Sequence, residues 1–434
     1  MATLRNNDNY IEIGIDPGFD GTKVCINGIM FKVPNNIMDI TGKKNEFLTL
    51  GERKAGGYIC SRYIRDKEYL IGELARKSIN EKLAKANEKI KMTVNDSQER
   101  FGTMDFECNM MSVIGIALIE YAKETMRNEW RPCYTIMDSN KGDGNRVIPS
   151  LKTAEIVVGV ALPHDYVDSV WPNISKFLIG EHHFEIELQD GIYELNFEIK
   201  PGRAIPASQA ICALLGTAAD DEGVIKNESN ILKNLPALVI DGGYKTVGLF
   251  QLTKAYQVSE AESNENFAMG NVHKRVAKIL QEEFGRTDIE AFSIPSIIEN
   301  DDGKIICINP NNHGTIELDV NEMINEEVAK ICEELLDYLN EKYNNLLDTK
   351  EVIITGGTGA AYYDHVAKYL NEQRNHLRGK IILTSYKFRG QEIEPVYAIA
   401  VGMYKTLKHQ VNVARKAQKE EAQKTAAKQT NKDN

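Results

Sequence analysis

Ile13-Gly14-Ile15-Asp16-Pro17-Gly18-Phe19 is an apolar run that ends in Asp-x-Gly-aromatic. Leu238-Val239-Ile240-Asp241-Gly242-Gly243-Tyr244 has the same form, with Asp241 lying 225 residues after Asp16. Each run is followed at once by a second strand-like stretch, Lys23–Ile26 after the first and Val247–Leu252 after the second. The repeated unit therefore reads as strand, tight Asp-Gly turn, strand. It is not the strand, glycine loop, helix of a Walker A or dinucleotide site: neither GxxxxGK[ST] nor GxGxxG follows a strand in this chain. Self-similarity over so long a period implies a duplicated domain rather than a short repeat array.

Outward from these two runs, strand-length apolar segments alternate with helical periodicity. Strands are expected at Tyr10–Ile15, Glu155–Leu162, Ala237–Ile240, Glu351–Thr355 and Lys380–Thr384. Helices are expected at Phe106–Arg127, Ala207–Leu215, Asn271–Phe284, Asn321–Asn345, Ala360–Arg374 and Pro395–His409. The alternation predicts an α/β class with covered sheets. Ser139–Ser150 has no periodicity and reads as a surface loop. The stretch 285–320 is poor in helix signals and suits a smaller subdomain. The expected layout is a first domain over 1–206, completed by a C-terminal helix at 385–410, and a second over 207–384 with a small subdomain near 272–325.

With 434 residues the chain is long enough for two sizeable domains, and 42% hydrophobic residues is ordinary for a globular protein. No window approaches the roughly 18 continuous apolar residues of a membrane-spanning helix. The start, MATLRNNDNYIEIGID, lacks a basic segment followed by an apolar one. The seven cysteines are scattered with no CxxC pair. They read as reduced thiols in a cytoplasmic protein. A net charge of −11 weighs against direct binding to DNA. Residues 411–434 run the other way, with six Lys/Arg against three acids and almost no bulky apolar residue, and are expected to be a flexible, solvated basic tail.

The chemistry lies in the two hairpins. A glycine-rich turn lets backbone N–H groups approach phosphate oxygens with no Cβ in the way. An Asp at the strand end repels those phosphates unless a metal or its water shell stands between, so Asp16 and Asp241 are candidate Mg²⁺ partners. Lys23, seven residues after Asp16, alternates onto the second strand and can reach back to phosphate as a point charge. A third glycine-rich segment, Val352-Ile353-Ile354-Thr355-Gly356-Gly357-Thr358-Gly359, is a buried strand running into a turn that opens a helix, where a base and ribose could lie against the backbone.

Asp16-x-Gly18 with Lys23, then Asp241-x-Gly243 with Thr246, then Gly356-Gly357, resemble the phosphate-1, phosphate-2 and adenosine motifs of the actin, DnaK-type chaperone and sugar-kinase superfamily. Within it the chain looks most like the ParM/StbA branch of bacterial plasmid-segregation actins. Val33-Pro34-Asn35-Asn36, Val160-Ala161-Leu162-Pro163 and Tyr397-Ala398-Ile399-Ala400-Val401-Gly402-Met403-Tyr404 carry that likeness. It spans about residues 10–408. The resemblance implies a duplicated RNase H-like fold with Mg²⁺-ATP, or Mg²⁺-GTP, between two domains. It also implies polar filaments and a ParR-type adaptor on a plasmid centromere, so that DNA is reached through a partner and no membrane is involved. It implies nucleotide contacts from Gly18, Phe19, Lys23, Gly242, Gly243, Thr246, Gly356, Gly357 and Lys274, and catalytic roles for Asp16, Asp241 and Gln209. Ile205-Pro206-Ala207-Ser208-Gln209 is similar to the actin segment that sets a Gln or Glu near the γ-phosphate. Aligned on the Glu that follows a Pro in ParM, Gly202 or Arg203 takes that position instead. Muscle-type actins have Ser where this chain has Phe19, which leaves only backbone donors there.

Two other classes compete. A small-molecule kinase of the same superfamily needs a carboxylate base, and residues 201–219 contain no Asp or Glu. A DnaK-type chaperone needs a substrate domain after the ATPase, and only about 25 residues follow the last resembling helix. His182-His183 lacks partners at metal-ligand spacing and reads as a solvated pair. His273 reads as a residue beside the nucleotide or on a solvated helix face.

Overall fold

The computed structural model describes residues 10–42, 60–62, 67–78, 98–125, 134–137, 155–188, 191–225, 233–253, 257–300, 302–310, 314–385 and 387–430. The chain divides into two compact units. Unit 1 comprises residues 1–229, 386–393 and 397–434; unit 2 comprises 230–385 and 394–396.

Unit 1 is centred on a five-stranded sheet. β1 (Tyr10–Pro17) pairs antiparallel with β2 (Gly21–Ile26), which pairs antiparallel with β3 (Ile29–Pro34). On its other side β1 runs parallel to β8 (Glu155–Leu162), and β8 parallel to β11 (Ala204–Ser208). Every residue of β1 is buried, as expected for a strand covered on both faces. The pleat sorts its side chains. Ile11, Ile13 and Ile15 join the core that includes Met110, Val113, Ile114 and Ala117 of α1 (Met104–Thr125). On the other face Gly14 meets α8 (Ala398–Thr430), where an added methyl would lie 2.5 Å from the Ala400 carbonyl oxygen.

A second sheet in unit 1 has the order β4-β6-β5-β9-β10-β7, formed by β4 (Ile37–Asp39), β5 (Cys60–Arg62), β6 (Tyr69–Ile71), β7 (Tyr134–Met137), β9 (Gly180–Leu188) and β10 (Gly191–Ile199). The β9–β10 hairpin sends Phe184, Ile186, Leu195 and Phe197 into the same core. α2 (Val167–Leu178) contributes Val170, Ile174 and Leu178.

Unit 2 repeats the five-stranded plan. β12 (Ala237–Gly242) pairs antiparallel with β13 (Val247–Leu252), and β13 with β14 (Val258–Asn264). β12 runs parallel to β17 (Glu351–Thr355), and β17 to β18 (Ile381–Leu383). The orders β3-β2-β1-β8-β11 and β14-β13-β12-β17-β18 are equivalent, sense for sense. The two Asp-Gly runs occupy the same place in each, so the repeat seen in the sequence is a duplication of the whole sheet. Leu238, Ile240, Val352 and Ile354 pack on Val328, Ile331, Leu335 and Leu339 of α6 (Val320–Lys342) and on Tyr362, Val366 and Leu370 of α7 (Gly356–Gln373). α6 starts at Asp319, whose carboxylate accepts from Asn321 N and Glu322 N at 2.9 and 3.3 Å.

The region poor in helix signals forms a small module: α5 (Ile294–Asn300) and the hairpin of β15 (Lys304–Ile308) with β16 (Thr315–Asp319). It has its own core of Ile289, Ile294, Ile305, Cys307 and Val320 against Val276 and Leu280 of α4 (Met269–Phe284).

Two boundaries differ from expectation. The first unit runs to residue 229 rather than 206 because α3 (Gln209–Ala218) packs on α8: Cys212 Sγ lies 3.7 Å from Met403 Sδ, and buried Lys405 donates to the Gly216 and Ala219 carbonyls at 2.7 and 3.0 Å. α8 runs on to Thr430, and its packed part reaches past residue 410, since Val411 is buried and Asn412 Nδ2 donates to the Glu222 carbonyl at 2.8 Å. Ser139–Ser150 lies outside the described residues. Among the described residues no helix is long and apolar enough to cross a membrane, and Cys25, Cys108, Cys212, Cys307 and Cys332 are buried and form no disulfide with one another.

Candidate functional site

In unit 1 the β1–β2 register sets Asp16 opposite Lys23. Lys23 Nζ lies 3.8 Å from Asp16 Oδ2 and close over Gly18, where a side chain would collide with it. Gln209 opens α3 directly after β11 and donates from Nε2 to Asp16 Oδ1 at 2.9 Å. The strand-to-helix turn after β11 thus delivers an amide to the aspartate that ends β1. Arg203, the other residue offered for this position, is buried and paired with Glu155 at 2.7 Å. Gly202 sits in the exposed turn before β11.

The first turn is held by residues that the reading of the motifs did not single out. Arg100 lies in the short helical turn Gln98–Gly102 that precedes α1, and is buried. Its guanidinium is 3.8 Å from the centre of the Phe19 ring, and it donates to the Pro17 and Gly18 carbonyls at 2.6 and 3.3 Å. Asn35, in the stretch that follows β3, also donates to the Gly18 carbonyl. No local pattern marks Arg100, which lies more than 80 residues from the turn it holds. Asp20, at the tip, pairs with Lys32. Burial pushes its carboxyl up, but the ammonium groups of Lys32 and Lys23 outweigh this and hold it below the usual carboxylate range.

In unit 2 Asp241 ends β12, paired with Gly248 on one side and Thr355 on the other. The turn is closed by Gly243 N donating to the Thr246 carbonyl at 3.0 Å. The glycine-rich segment abuts this hairpin. Gly356 has φ of +81°, which a side chain tolerates poorly, and an added methyl would lie 2.9 Å from Asp241 Oδ1. Thr358 Oγ1 donates to the Gly243 carbonyl at 2.8 Å. The N-terminus of α4 docks on the same turn, with Gly270 N donating to the Tyr244 carbonyl at 2.6 Å. The structure therefore gathers Asp241, Gly242, Gly243, Thr246, Gly356 and Gly357 in unit 2. Lys274 is exposed on α4, next to buried His273, whose ring makes an edge contact with Tyr244 at 5.5 Å.

The solvated pair expected at His182-His183 is corrected in one half. The strand alternation of β9 turns His182 inward, where it is buried on Phe197 and bonded to the Leu178 carbonyl at 2.9 Å, and burial lowers its pKa. His183 points outward and meets Glu194 at 2.8 Å.

Among the described residues no group of three or more His, Cys, Asp or Glu side chains could hold a metal by itself. Mg²⁺ keeps several waters and commonly takes only one or two carboxylates beside nucleotide phosphates. Single carboxylates at the strand ends, Asp16 and Asp241, fit that kind of metal.

No protein-family model matches the chain, and no curated protein matches it by sequence. Solved structures do match. The actin-like protein Alp7A aligns with a TM-score of 0.61 at 14% identity, over 95% of this chain and 100% of its own. A ParM from a 15-stranded filament of Clostridium botulinum aligns at 0.56 and 15% identity, over 93% and 99%. A Bacillus thuringiensis ParM with ATP aligns at 0.51 and 12% identity, over 92% and 98%. With both five-stranded sheets repeated in the same order, the fold of this chain is the duplicated RNase H-like fold of the actin-like, ParM-type proteins.

Proposed function

We propose that the protein is a filament-forming ATPase that hydrolyses Mg²⁺-ATP in the cytoplasm, with GTP as a second substrate, and moves plasmid DNA through a ParR-type DNA-binding adaptor on the centromere. The observation that carries this reading is the pair of equivalent hairpins, each with an aspartate at its strand end, of which the first has Gln209 bonded to Asp16. Each such turn offers backbone donors to phosphate oxygens. Lys23 adds a positive charge at the first. Gly356 and Gly357 offer a flat backbone surface for the base and ribose.

Asp16 would hold the water shell of Mg²⁺ at the first turn, where the metal would supply positive charge beside phosphate, and Asp241 is the equivalent carboxylate at the second. The bond from Gln209 Nε2 to Asp16 fixes the amide plane, so that Oε1 can accept from the attacking water and orient it. Asp241 offers a carboxylate acceptor for water at the second hairpin. Lys274 supplies a charge for the ribose side. The filament and ATP-bound fold neighbours support this direction, and the net charge of −11 favours an adaptor over direct DNA contact. A kinase would need a carboxylate base where α3 presents only an amide.

The test is electron microscopy of the purified protein with Mg²⁺-ATP beside a nucleotide-free control, with phosphate release measured on the same sample. Filaments that need nucleotide, together with phosphate release, support the reading. A protein that stays monomeric and instead phosphorylates a small hydroxyl compound overturns it.

A further inference from the structure

We propose that Arg100 and Asn35 are positioning residues for the first phosphate turn, fixing its amides from behind rather than touching phosphate. The proposal rests on the reading that this turn holds nucleotide phosphates.

Three consecutive carbonyls of the turn are held from one side. Arg100 Nη2 takes the Pro17 carbonyl at 2.6 Å and Nη1 the Gly18 carbonyl at 3.3 Å. Asn35 Nδ2 takes the Gly18 carbonyl and, at 3.4 Å, the Phe19 carbonyl. In a trans peptide the C=O and the following N–H point in opposite directions. Pinning the Gly18 and Phe19 carbonyls toward Arg100 and Asn35 therefore sets the Phe19 and Asp20 N–H groups on the opposite face. Two successive amides aimed the same way form an anion-binding concavity.

The two holders are themselves fixed. Asn35 Oδ1 accepts from Thr22 Oγ1 and from Asn109 Nδ2, both at 2.8 Å, which leaves its donor end toward the turn. Arg100 is buried, its carbonyl accepts from Thr103 Oγ1 at 2.8 Å, and its guanidinium carbon sits over the Phe19 ring at 3.8 Å from the centre. A planar fork that donates to two carbonyls from over a ring face is a task a lysine ammonium does not perform. Phe19 thereby gains a function as the platform that holds Arg100 in place.

The experiment compares the parent protein with Arg100→Met, Arg100→Lys, Phe19→Leu and Asn35→Ala. Folding is checked by circular dichroism, and MgATP and adenosine affinities are measured by calorimetry. Arg100→Met is expected to weaken MgATP about tenfold or more while adenosine affinity holds, because only the phosphate turn is disturbed. Arg100→Lys is expected to weaken it similarly, since charge is kept but the fork over the ring is lost. Phe19→Leu and Asn35→Ala are expected to shift the same ratio in the same direction. Full rescue by Arg100→Lys overturns the proposal in favour of a plain charge effect. A folded Arg100→Met with parental MgATP affinity overturns it outright. If Arg100→Met does not fold, parental affinity in both Phe19→Leu and Asn35→Ala overturns it. A parent protein that binds no MgATP sinks the nucleotide reading itself, which is a different result.

Discussion

At the scale of single residues, the two strand-end aspartates are not equivalent. Asp16 is tied to Gln209 and lies 3.8 Å from Lys23, whereas Asp241 faces Gly356 at the end of the neighbouring strand. If Asp241 holds water at the γ-phosphate, Asp241→Ala should lower phosphate release about 10²–10³-fold while part of the nucleotide affinity survives. Near-normal turnover in that variant removes Asp241 from the reaction. Gln209→Ala should lower kcat about 10²-fold with little change in ATP affinity, because a water-orienting amide acts on the attack rather than on binding. A loss confined to affinity would make Gln209 a binding residue. Both aspartates were legible in the sequence because each follows a buried strand and precedes glycine. Arg100 was not, since only folding brings it to Phe19.

Among elements, α8 decides how unit 1 is closed. It lies against β1 at Gly14, where no side chain fits, and its Lys405 caps the C-terminal end of α3. Gly14→Val should push the helix off the sheet and lower stability by about 2–3 kcal/mol, read as a lower midpoint in urea unfolding. An unchanged midpoint would mean that the helix can shift without cost. The end of the same helix gives the opposite expectation. A chain ending at Val413, which is 55% exposed, should keep the parental melting temperature and ATP hydrolysis, whereas one ending at Gln410 loses buried Val411 and the Asn412 bond to Glu222 and should melt lower. Equal melting of the two truncations would show that those contacts add nothing. The apolar strands and long helices were readable from periodicity. The β9–β10 hairpin was not among the expected strands, although the alternation in Phe184-Glu185-Ile186-Glu187-Leu188 is the period-two pattern of a strand with one buried face.

For the molecule as a whole, the prediction concerns assembly. A head-to-tail contact between copies uses two different patches, and where the rotation between copies does not close a ring, open polymers follow. If a bound γ-phosphate favours the assembling form of the subunit, its loss weakens that form, and assembly becomes coupled to nucleotide state. Light scattering over a protein concentration series with Mg²⁺-ATP should show a critical concentration, then decay as nucleotide is spent. Scattering that rises in proportion to concentration without a threshold, or that persists after ATP is exhausted, would contradict that coupling.

The sequence by itself determined that there are two Asp-Gly hairpins after buried strands, that the chain is α/β, and that the unit is duplicated. These depend on local order, on the twofold and 3.6-fold periods of apolar residues, and on glycine where backbone must turn sharply. Only the tertiary structure decided that α3 belongs with the first unit, that Gln209 rather than Arg203 faces Asp16, that His182 is buried, and that Arg100 and Asn35 grip the first turn. Each of these is a contact between residues far apart in the chain, selected by which faces find apolar partners and which buried polar groups find donors, and no local stretch carries that information.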